Sequence, residues 1–416
     1  MTRKKRRKDR KRKARPPRRK AMRRRLEGTF DQADDLIFSG KAHEAVELLK
    51  SRLPGNERNP QLQYYLGYAH AKMGDAVTAV DYYERSLELE PGDTDLWFPL
   101  ATLYAEVGLS AHAIRALRRF VDSSTIDPMV GEARRMLDAL NEATKELARE
   151  LNVTPKQAEE AAYRMERGRR ALHQGDYEDS IAASGRAVEI VPEWPPPANN
   201  LSLALFFHGQ PARAIATAQQ VLSHNPDNIH ARSNLVRYLA WTGNEAEAQR
   251  HWQRLQKAQP VEPDDAIKIA EAAAVLGDDE AVYRTLKPLQ PSSSLFARLR
   301  QKLPEASRLR FYGWLLLGVA AANTGRRREA KRLWQEVLRG GVYTNRLPGY
   351  LEALRRGRPG PGWAQRFPYF HSTDMVPLQV QHDFGKLVLQ KDEMPSERFR
   401  RQVDGFLAHC SAATRR

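Results

Sequence analysis

The feature that most constrains the fold of this chain is a glycine that recurs every 34 residues. Seven glycines keep this spacing, with one gap of 67 residues in the middle: Gly40, Gly74, Gly108, Gly175, Gly209, Gly243 and Gly277. A fixed period of this length is typical of repeat proteins, in which each unit buries its apolar face only by stacking on its neighbours. The sequence therefore predicts an array of small, similar units.

Other positions keep the same period and indicate what each unit is. Small residues stand five positions after the glycine, at Ala45, Ala79, Ala113, Ser180, Ala214, Ala248 and Val282. Small residues also stand seven positions before it, at Ala33, Gly67, Ala101, Gly168, Ser202, Val236 and Ala270. Such residues let two helices approach closely, while the glycine supplies the turn between them. A proline 17 positions after the glycine ends the second helix of four units, at Pro91, Pro192, Pro226 and Pro260.

These units resemble tetratricopeptide repeats, a family of 34-residue helical hairpins. The unit Pro60–Asp93 matches best, with Leu66, Gly67, Gly74, Ala79, Tyr83, Ser86 and Pro91. The next unit matches with Trp97, Leu100, Tyr104, Gly108, Ala113 and Phe120, and an eighth, around Gly325, with Trp314, Leu317, Gly318, Ala330, Trp334 and Val337. The resemblance covers residues 26–340 and implies an all-α solenoid of about seven or eight helical hairpins.

Between the third and fourth units the glycine is missing. Apolar residues at three-to-four spacing predict one long amphipathic helix over 129–151. A new helix is predicted to begin after Thr154, with Pro155 in its first position and Gln157 closing a capping box. We therefore expect a first sub-array of three units over 26–127, a connecting and capping helix over 128–153, a second sub-array of four units over 154–292, and an eighth unit with further helices over 293–341.

Residues 342–416 lose the repeat register. Alternating apolar residues predict short strands around 378–389, and Pro395 opens a predicted helix that contains Val403. We expect this segment to form a small cap over the open end of the solenoid.

The net charge of +17 is unevenly distributed. Residues 1–25 hold 17 basic residues and one acidic residue, whereas residues 26–295 hold 28 basic and 40 acidic residues. Residues 296–368, here called the basic collar, hold 16 basic and 4 acidic residues. A self-repelling basic run with nothing to bury predicts a disordered tail over 1–25.

The tail is predicted to contact a polyanion such as RNA, DNA or a ribosome without reading its sequence, since each neutralised phosphate releases a counterion. The candidate residues are Arg3, Lys4, Lys5, Arg6, Arg7 and Lys8, with Arg326, Arg327 and Arg328 in the basic collar. Docking of the tail on the acidic solenoid, a solubilising role and a nuclear-localisation role remain alternatives.

In proteins of this family the first helix of each unit lines a groove that holds a peptide or a partner helix. The resemblance therefore implies candidate contacts among the exposed residues of those helices. In the first sub-array these are Tyr64, Tyr68, Phe98 and Thr102, and in the second Arg169, Asn199, Asn200, Ser233, Asn234 and Arg237. Aromatic side chains suit apolar anchors, whereas asparagine and arginine suit a peptide backbone or a carboxylate.

The sequence offers little for catalysis. Its histidines show no metalloprotease spacing, and its single cysteine, Cys410, cannot form a zinc cluster. We therefore expect no enzyme activity, no catalytic residue, no cofactor and no bound metal. The longest apolar run, Trp314–Ala322, is too short to cross a bilayer, which predicts no membrane insertion. One cysteine and no apolar segment after the basic tail predict a cytoplasmic protein, or a nuclear one in a eukaryotic host.

These features favour a non-catalytic scaffold that binds a protein partner in its groove and a polyanion through its tail. Two other functions remain open. The first is a primary nucleic-acid-binding protein that uses the tail together with the basic collar. The second is an accessory subunit of an enzyme complex that uses the C-terminal segment.

Overall fold

The computed structural model describes residues 18–123, 129–289, 304–339, 346–360 and 365–369, with a few isolated positions near the C-terminus. Side chains are described from Leu26 onward, and in the helix that begins at Pro304 from Phe311 onward. All regular secondary structure within these ranges is helical. Two compact units, Met1–Asn141 and Glu142–Arg416, divide the chain, with the boundary inside one long helix.

The first compact unit consists of three helical hairpins. Its helices are α1 (Arg18–Phe38), α2 (Ala42–Lys50), α3 (Pro60–Lys72), α4 (Ala76–Leu89), α5 (Trp97–Glu106), α6 (Ser110–Ser123) and the first part of α7 (Val130–Glu150). Helix α7 corresponds to the long helix predicted over 129–151. Val130 and Ala133 are buried in the same core cluster as α4 to α6, so this part of α7 covers the third hairpin.

The second compact unit contains four further hairpins and an eighth pair. Its helices are α8 (Pro155–Gln174), α9 (Tyr177–Ile190), α10 (Pro195–Phe207), α11 (Pro211–His224), α12 (Ile229–Trp241), α13 (Glu245–Leu255), α14 (Pro263–Leu276), α15 (Asp279–Leu286), α16 (Pro304–Asn323), α17 (Arg327–Arg339) and α18 (Leu347–Arg355). A 3₁₀ turn, Lys287–Leu289, follows α15.

The local signals in the sequence explain where these helices begin and end. Each of the seven periodic glycines, and Gly325, has a φ angle between 70° and 86°, a left-handed conformation that side chains disfavour. The Thr154 hydroxyl accepts from the amide of Gln157 and the Gln157 side chain accepts from the amide of Thr154, which is the predicted capping box. Helices α4, α9 and α11 each end two residues before the periodic proline, as predicted, and α13 ends earlier, at Leu255.

The columns of small residues lie between the two helices of each hairpin. Every residue of the column five positions after the glycine is 0% exposed. In the other column, a Cβ at Gly67 would stand 2.7 Å from Tyr83 Cε1, and one at Gly318 would stand 2.7 Å from Trp334 Cδ1. The predicted close approach of the paired helices is therefore confirmed, and large aromatic rings fill the space that these glycines leave.

Two predictions concern the ends of the chain. Helix α1 begins at Arg18, so its first turns overlap the last eight residues of the basic segment 1–25. Residues 1–17, the predicted strands around 378–389 and most of the predicted helix after Pro395 lie outside the described residues.

The hairpin of α8 and α9 allows a matched test of close packing. We expect Gly168→Ala to destabilise the protein by about 1–3 kcal/mol, because the new methyl carbon would lie 3.1 Å from the amide nitrogen of Ser184 and 3.3 Å from its Cβ. Gly185→Ala, in α9 of the same hairpin, meets no atom within 4 Å and should stabilise by about 0.5–1 kcal/mol. Urea unfolding measures both, and equal effects of the two changes would contradict this account of the hairpin.

Candidate partner-binding surfaces

The first compact unit brings its predicted contact residues together on neighbouring first helices. The ring of Tyr64 stacks on that of Tyr68, with 6.3 Å between centroids, and on that of Tyr83, with 5.7 Å. Phe98, on α5, stacks on Phe120 at 5.3 Å, and the exposed Thr102 donates its hydroxyl hydrogen to the carbonyl of Phe98 at 3.1 Å. We call the surface formed by Tyr64, Tyr68, Phe98 and Thr102 the tyrosine face.

The aromatic rings of the tyrosine face are half-buried, so they contribute to the core while one part of each ring stays accessible. The hydroxyl of the adjacent Tyr65 donates to Asp34 Oδ2 at 2.8 Å. Burial and this contact raise the pKa of Tyr65. Burial also raises the pKa of Tyr64, with smaller contributions from Tyr68, Asp34 and Asp93. The contact with Tyr65 places the Asp34 carboxylate beside these aromatic rings.

The second compact unit buries several of the polar residues predicted to be exposed. Ser233 and Arg237 are 0% exposed, Asn234 is 1% exposed and Asn199 is 8% exposed. The predicted exposure of these four residues is therefore wrong. Arg169 and Asn200 are half-buried. The reason lies in the small column of Ser202, Val236 and Ala270, which are each 0% exposed and let the first helices pack closely.

The buried polar residues form a hydrogen-bonded chain across successive first helices. Asn234 Nδ2 donates to Ser202 Oγ at 3.4 Å, and Arg237 Nη1 donates to Asn234 Oδ1 at 3.2 Å. Arg237 Nη1 also donates to Glu271 Oε2 at 2.9 Å. Ser202, Asn234, Arg237 and Glu271, which we call the polar ladder, thus connect α10, α12 and α14.

Glu271 supplies the negative charge of the polar ladder. Besides Arg237, its carboxylate accepts from Lys268 Nζ at 3.2 Å and from the hydroxyl of Tyr312 on α16 at 3.1 Å. Burial alone would raise its pKa, but Lys268, Arg237 and Tyr312 together lower it to about 2. The side chain therefore stays ionised although it is only 4% exposed.

Sequence reasoning missed Glu271, Lys268 and Tyr312. One signal was available for Glu271, because it follows Arg237 by 34 residues, the length of one repeat. Residues at the same position of adjacent repeats lie side by side in a solenoid. Opposite charges one period apart therefore indicate an ion pair between neighbouring units. No comparable spacing identifies Tyr312, which belongs to the unit that follows the break in the register.

The three arginines predicted in the basic collar differ in their surroundings. Arg326 makes a bidentate ion pair with Glu280, at 3.0 and 3.2 Å, and its guanidinium lies 4.0 Å from the ring centroid of Tyr283. Arg327 is exposed and donates to the carbonyl of Arg358 at 3.1 Å. Arg328 is exposed. The candidates Arg3 to Lys8 in the tail lie outside the described residues.

A short segment after the eighth pair packs against it, and sequence reasoning missed these contacts. The amide nitrogen of Phe367 donates to Asn323 Oδ1 at 2.9 Å, and Asn323 Nδ2 donates to the carbonyl of Phe367 at 3.0 Å. The ring of Phe367 is 1% exposed and lies 5.3 Å from that of Trp334. Tyr369 donates to Asp279 Oδ1 at 2.6 Å. Residues 366–369 therefore cover the apolar side of α17.

Two further features of the described residues concern metal ions and membranes. No group of three histidine, cysteine or acidic side chains is placed to hold a metal ion in these ranges. None of the helices seen there combines the length and apolar character needed to span a membrane.

Comparisons with known proteins agree with the repeat pattern. Models of the tetratricopeptide repeat match residues 60–103 and 205–273. A TPR repeat-containing protein of Bacillus subtilis (strain 168), YvcD, is 24% identical over 325 residues. That match covers 77% of this chain and 60% of the length of YvcD.

Solved structures with similarity to this chain include the TPR domain of P58(IPK), which is 13% identical and gives a TM-score of 0.30. The match covers 91% of this chain and 95% of the P58(IPK) chain. YrrB, described as a TPR protein with an unusual peptide-binding site, shows 13% identity and a TM-score of 0.25, covering 52% of this chain and 94% of its own. The periodic glycines, the helical hairpins and the two family matches lead to one conclusion. The chain carries tetratricopeptide repeats in both compact units.

Proposed function

We propose that this protein is a scaffold that binds a segment of a protein partner on the tyrosine face and contacts a polyanion through its basic N-terminal residues. Tetratricopeptide repeats support protein–protein interaction, and models of this repeat match residues 60–103 and 205–273. The observation that carries the finer proposal is the row of partly exposed aromatic rings at Tyr64, Tyr68 and Phe98 on adjacent first helices. Aromatic side chains of this kind dominate the energy of protein interfaces.

The two compact units support this proposal unequally. The tyrosine face keeps aromatic surface accessible, whereas the polar ladder uses its hydrogen-bonding groups within the protein. Arg237 and Asn234 therefore serve the packing of the repeats first. In the second unit, the candidates that remain for partner contact are half-buried residues of the first helices, among them Arg169, Asn200 and His230.

Thr102 offers a test that spares the core, because it is exposed on the first helix of its hairpin. We expect Thr102→Arg to reduce capture of a protein partner at least about tenfold, since a long cation blocks the adjacent aromatic surface. His43→Arg, on the exposed side of the second helix α2, adds a similar charge away from this face and should leave capture unchanged. Quantitative affinity capture measures both. Equal capture by the two variants would place the partner elsewhere.

The contribution of the tail is tested by deletion of residues 1–17, which spares α1. We expect the deletion to abolish binding to a 20-base-pair DNA duplex and to leave the protein folded, as circular dichroism would show. For the intact chain, contact with about six phosphates predicts a loss of affinity on the order of a thousandfold between 50 and 200 mM salt. Fluorescence anisotropy of the labelled duplex measures how the deletion and the salt concentration change binding.

Two results would contradict this role of the tail. Binding that does not respond to salt would exclude an electrostatic contact, because binding to a polyanion releases counterions. If the shortened chain still binds DNA, the DNA contacts the basic collar instead of residues 1–17. Arg328→Ala is then the next variant, since Arg326 already pairs with Glu280.

A further inference from the structure

The tyrosine face lies in a strongly acidic part of the chain. Residues 26–95 hold 14 acidic and 6 basic residues, whereas residues 1–17 hold 11 basic residues and only Asp9 as an acid. The two segments of opposite charge are adjacent in sequence. Each would therefore gain electrostatically from contact with the other.

Aromatic packing beneath this surface links α3 to α1. The ring of Phe30 stacks on that of Tyr65 with 4.8 Å between centroids and 5° between planes, and Tyr65 meets Tyr64 edge to face at 5.5 Å. Asp34 on α1 accepts the hydroxyl hydrogen bond of Tyr65 at 2.8 Å. Asp31 lies about one turn earlier on the same helix, and Asp93 lies in the segment between α4 and α5. The surface thus combines π faces with carboxylates.

Rings in this compact unit already bind cations from the chain itself. Lys72 Nζ lies 5.3 Å from the centroid of Tyr68, the guanidinium of Arg85 lies 5.7 Å from that of Tyr82, and the guanidinium of Arg119 lies 4.6 Å from that of Trp97. Lysine and arginine are attracted to the negative face of an aromatic ring, and arginine also pairs with carboxylates through its planar fork. An arginine- and lysine-rich segment matches both chemistries of this surface.

We propose that the tyrosine face, together with Asp31, Asp34 and Asp93, binds the chain's own N-terminal residues 3–15. This inference rests on the proposed use of the tyrosine face for peptide binding and specifies which peptide binds there. Docking of these residues and binding of a polyanion use the same cations and exclude each other. The protein therefore holds its polyanion-binding segment in reserve until a partner or a nucleic acid displaces it.

The length of the chain allows this contact. Seventeen extended residues reach about 56 Å, whereas the helical path from Arg18 to Asp34 is about 24 Å long. More than half of the segment thus remains to lie along the face after it returns past α1. Attachment through α1 also raises the effective concentration of the segment to the millimolar range, which supports a contact that is weak between separate molecules.

The first experiment uses the full chain and the affinity for a labelled 20-base-pair DNA duplex at 100 mM salt. The triple variant Asp31→Asn, Asp34→Asn and Asp93→Asn frees the N-terminal segment. If the segment is docked about 90% of the time, its release raises the apparent affinity about tenfold. Asparagine at position 34 retains an oxygen that accepts the hydrogen bond from Tyr65.

A matched control separates docking from a general change in charge. Glu47→Gln, Glu88→Gln and Asp122→Asn remove three exposed carboxylates from the second helices of the same unit. Docking predicts that this control gains far less affinity than the triple variant on the face. An equal gain in both, or no gain in either, overturns the proposal.

The second experiment places a photo-cross-linking side chain at Thr102 of the full chain. We expect cross-links to residues 3–15 of the same molecule, and added DNA should reduce them. A mixture of isotopically light and heavy chains distinguishes this contact from one between two copies. Cross-links only between copies, or none to residues 3–15, overturn the proposal. If partner capture still depends on Thr102 in that case, the proposed scaffold function stands without it.

Discussion

Ala214→Arg is expected to lower the free energy of unfolding by several kcal/mol, on the order of 5 kcal/mol, which is the largest effect foreseen for a single change in this chain. Ala214 is 0% exposed and belongs to the small column between α10 and α11. Arginine there must separate the two helices and bury an uncompensated charge. Urea unfolding followed by circular dichroism measures the change.

Ala216→Arg provides the control, because Ala216 lies two residues further along the same helix and is exposed. It should change the free energy of unfolding by less than about 0.5 kcal/mol. Ala79→Arg tests the equivalent position of the first compact unit and should match Ala214→Arg in size. If Ala214→Arg unfolds at the same urea concentration as the unchanged protein, the assigned repeat register is incorrect.

Glu271→Ala is expected to cost about 3–5 kcal/mol, because it leaves Arg237 buried without its carboxylate partner. Replacing both partners by apolar residues, as in Arg237→Met with Glu271→Leu, should restore much of this loss, since the double variant leaves neither of these two charges buried. Hydrogen exchange of the amides in α12 and α14 would report the local effect alongside urea unfolding. A double variant as unstable as Glu271→Ala would contradict the role of the ion pair.

The pH dependence of stability distinguishes this ion pair from general packing. The folded pKa of Glu271, about 2, lies below its ordinary value of 4.5. The ionised carboxylate therefore stabilises the folded state above pH 4.5, and this contribution is lost as the pH falls from 4.5 towards 2. Glu271→Ala should flatten the stability profile in that window. An unchanged profile would mean that Glu271 is not the titrating group.

The contrast between the two compact units follows from which side chains fill the first helices. In the first unit the rings of Tyr64, Tyr68 and Phe98 pack against the core while part of each stays accessible. In the second, serine, valine and alanine let α10, α12 and α14 pack closely enough to enclose polar side chains. One architecture thus produces an accessible aromatic surface in one unit and a buried ionic network in the other.

The sequence by itself determined the features whose causes are local. The periodic glycines must adopt a left-handed turn, the small columns must lie between paired helices, and Thr154 with Gln157 must cap α8, because backbone conformation and side-chain size act within one hairpin. The structure confirms each of them. The basic N-terminal segment and the acidic stretch that follows it were likewise evident from the residue counts alone.

Only the tertiary structure decided which polar residues of the first helices face the interior. Arg237 looked like an exposed groove residue, yet its environment is set by Glu271, one repeat later, and by the closeness of α14. The packing of Phe367 on Asn323 and Trp334 depends in the same way on a segment more than 30 residues away along the chain. Burial is a property of the neighbours that a residue acquires on folding, and a hairpin's own sequence does not contain those neighbours.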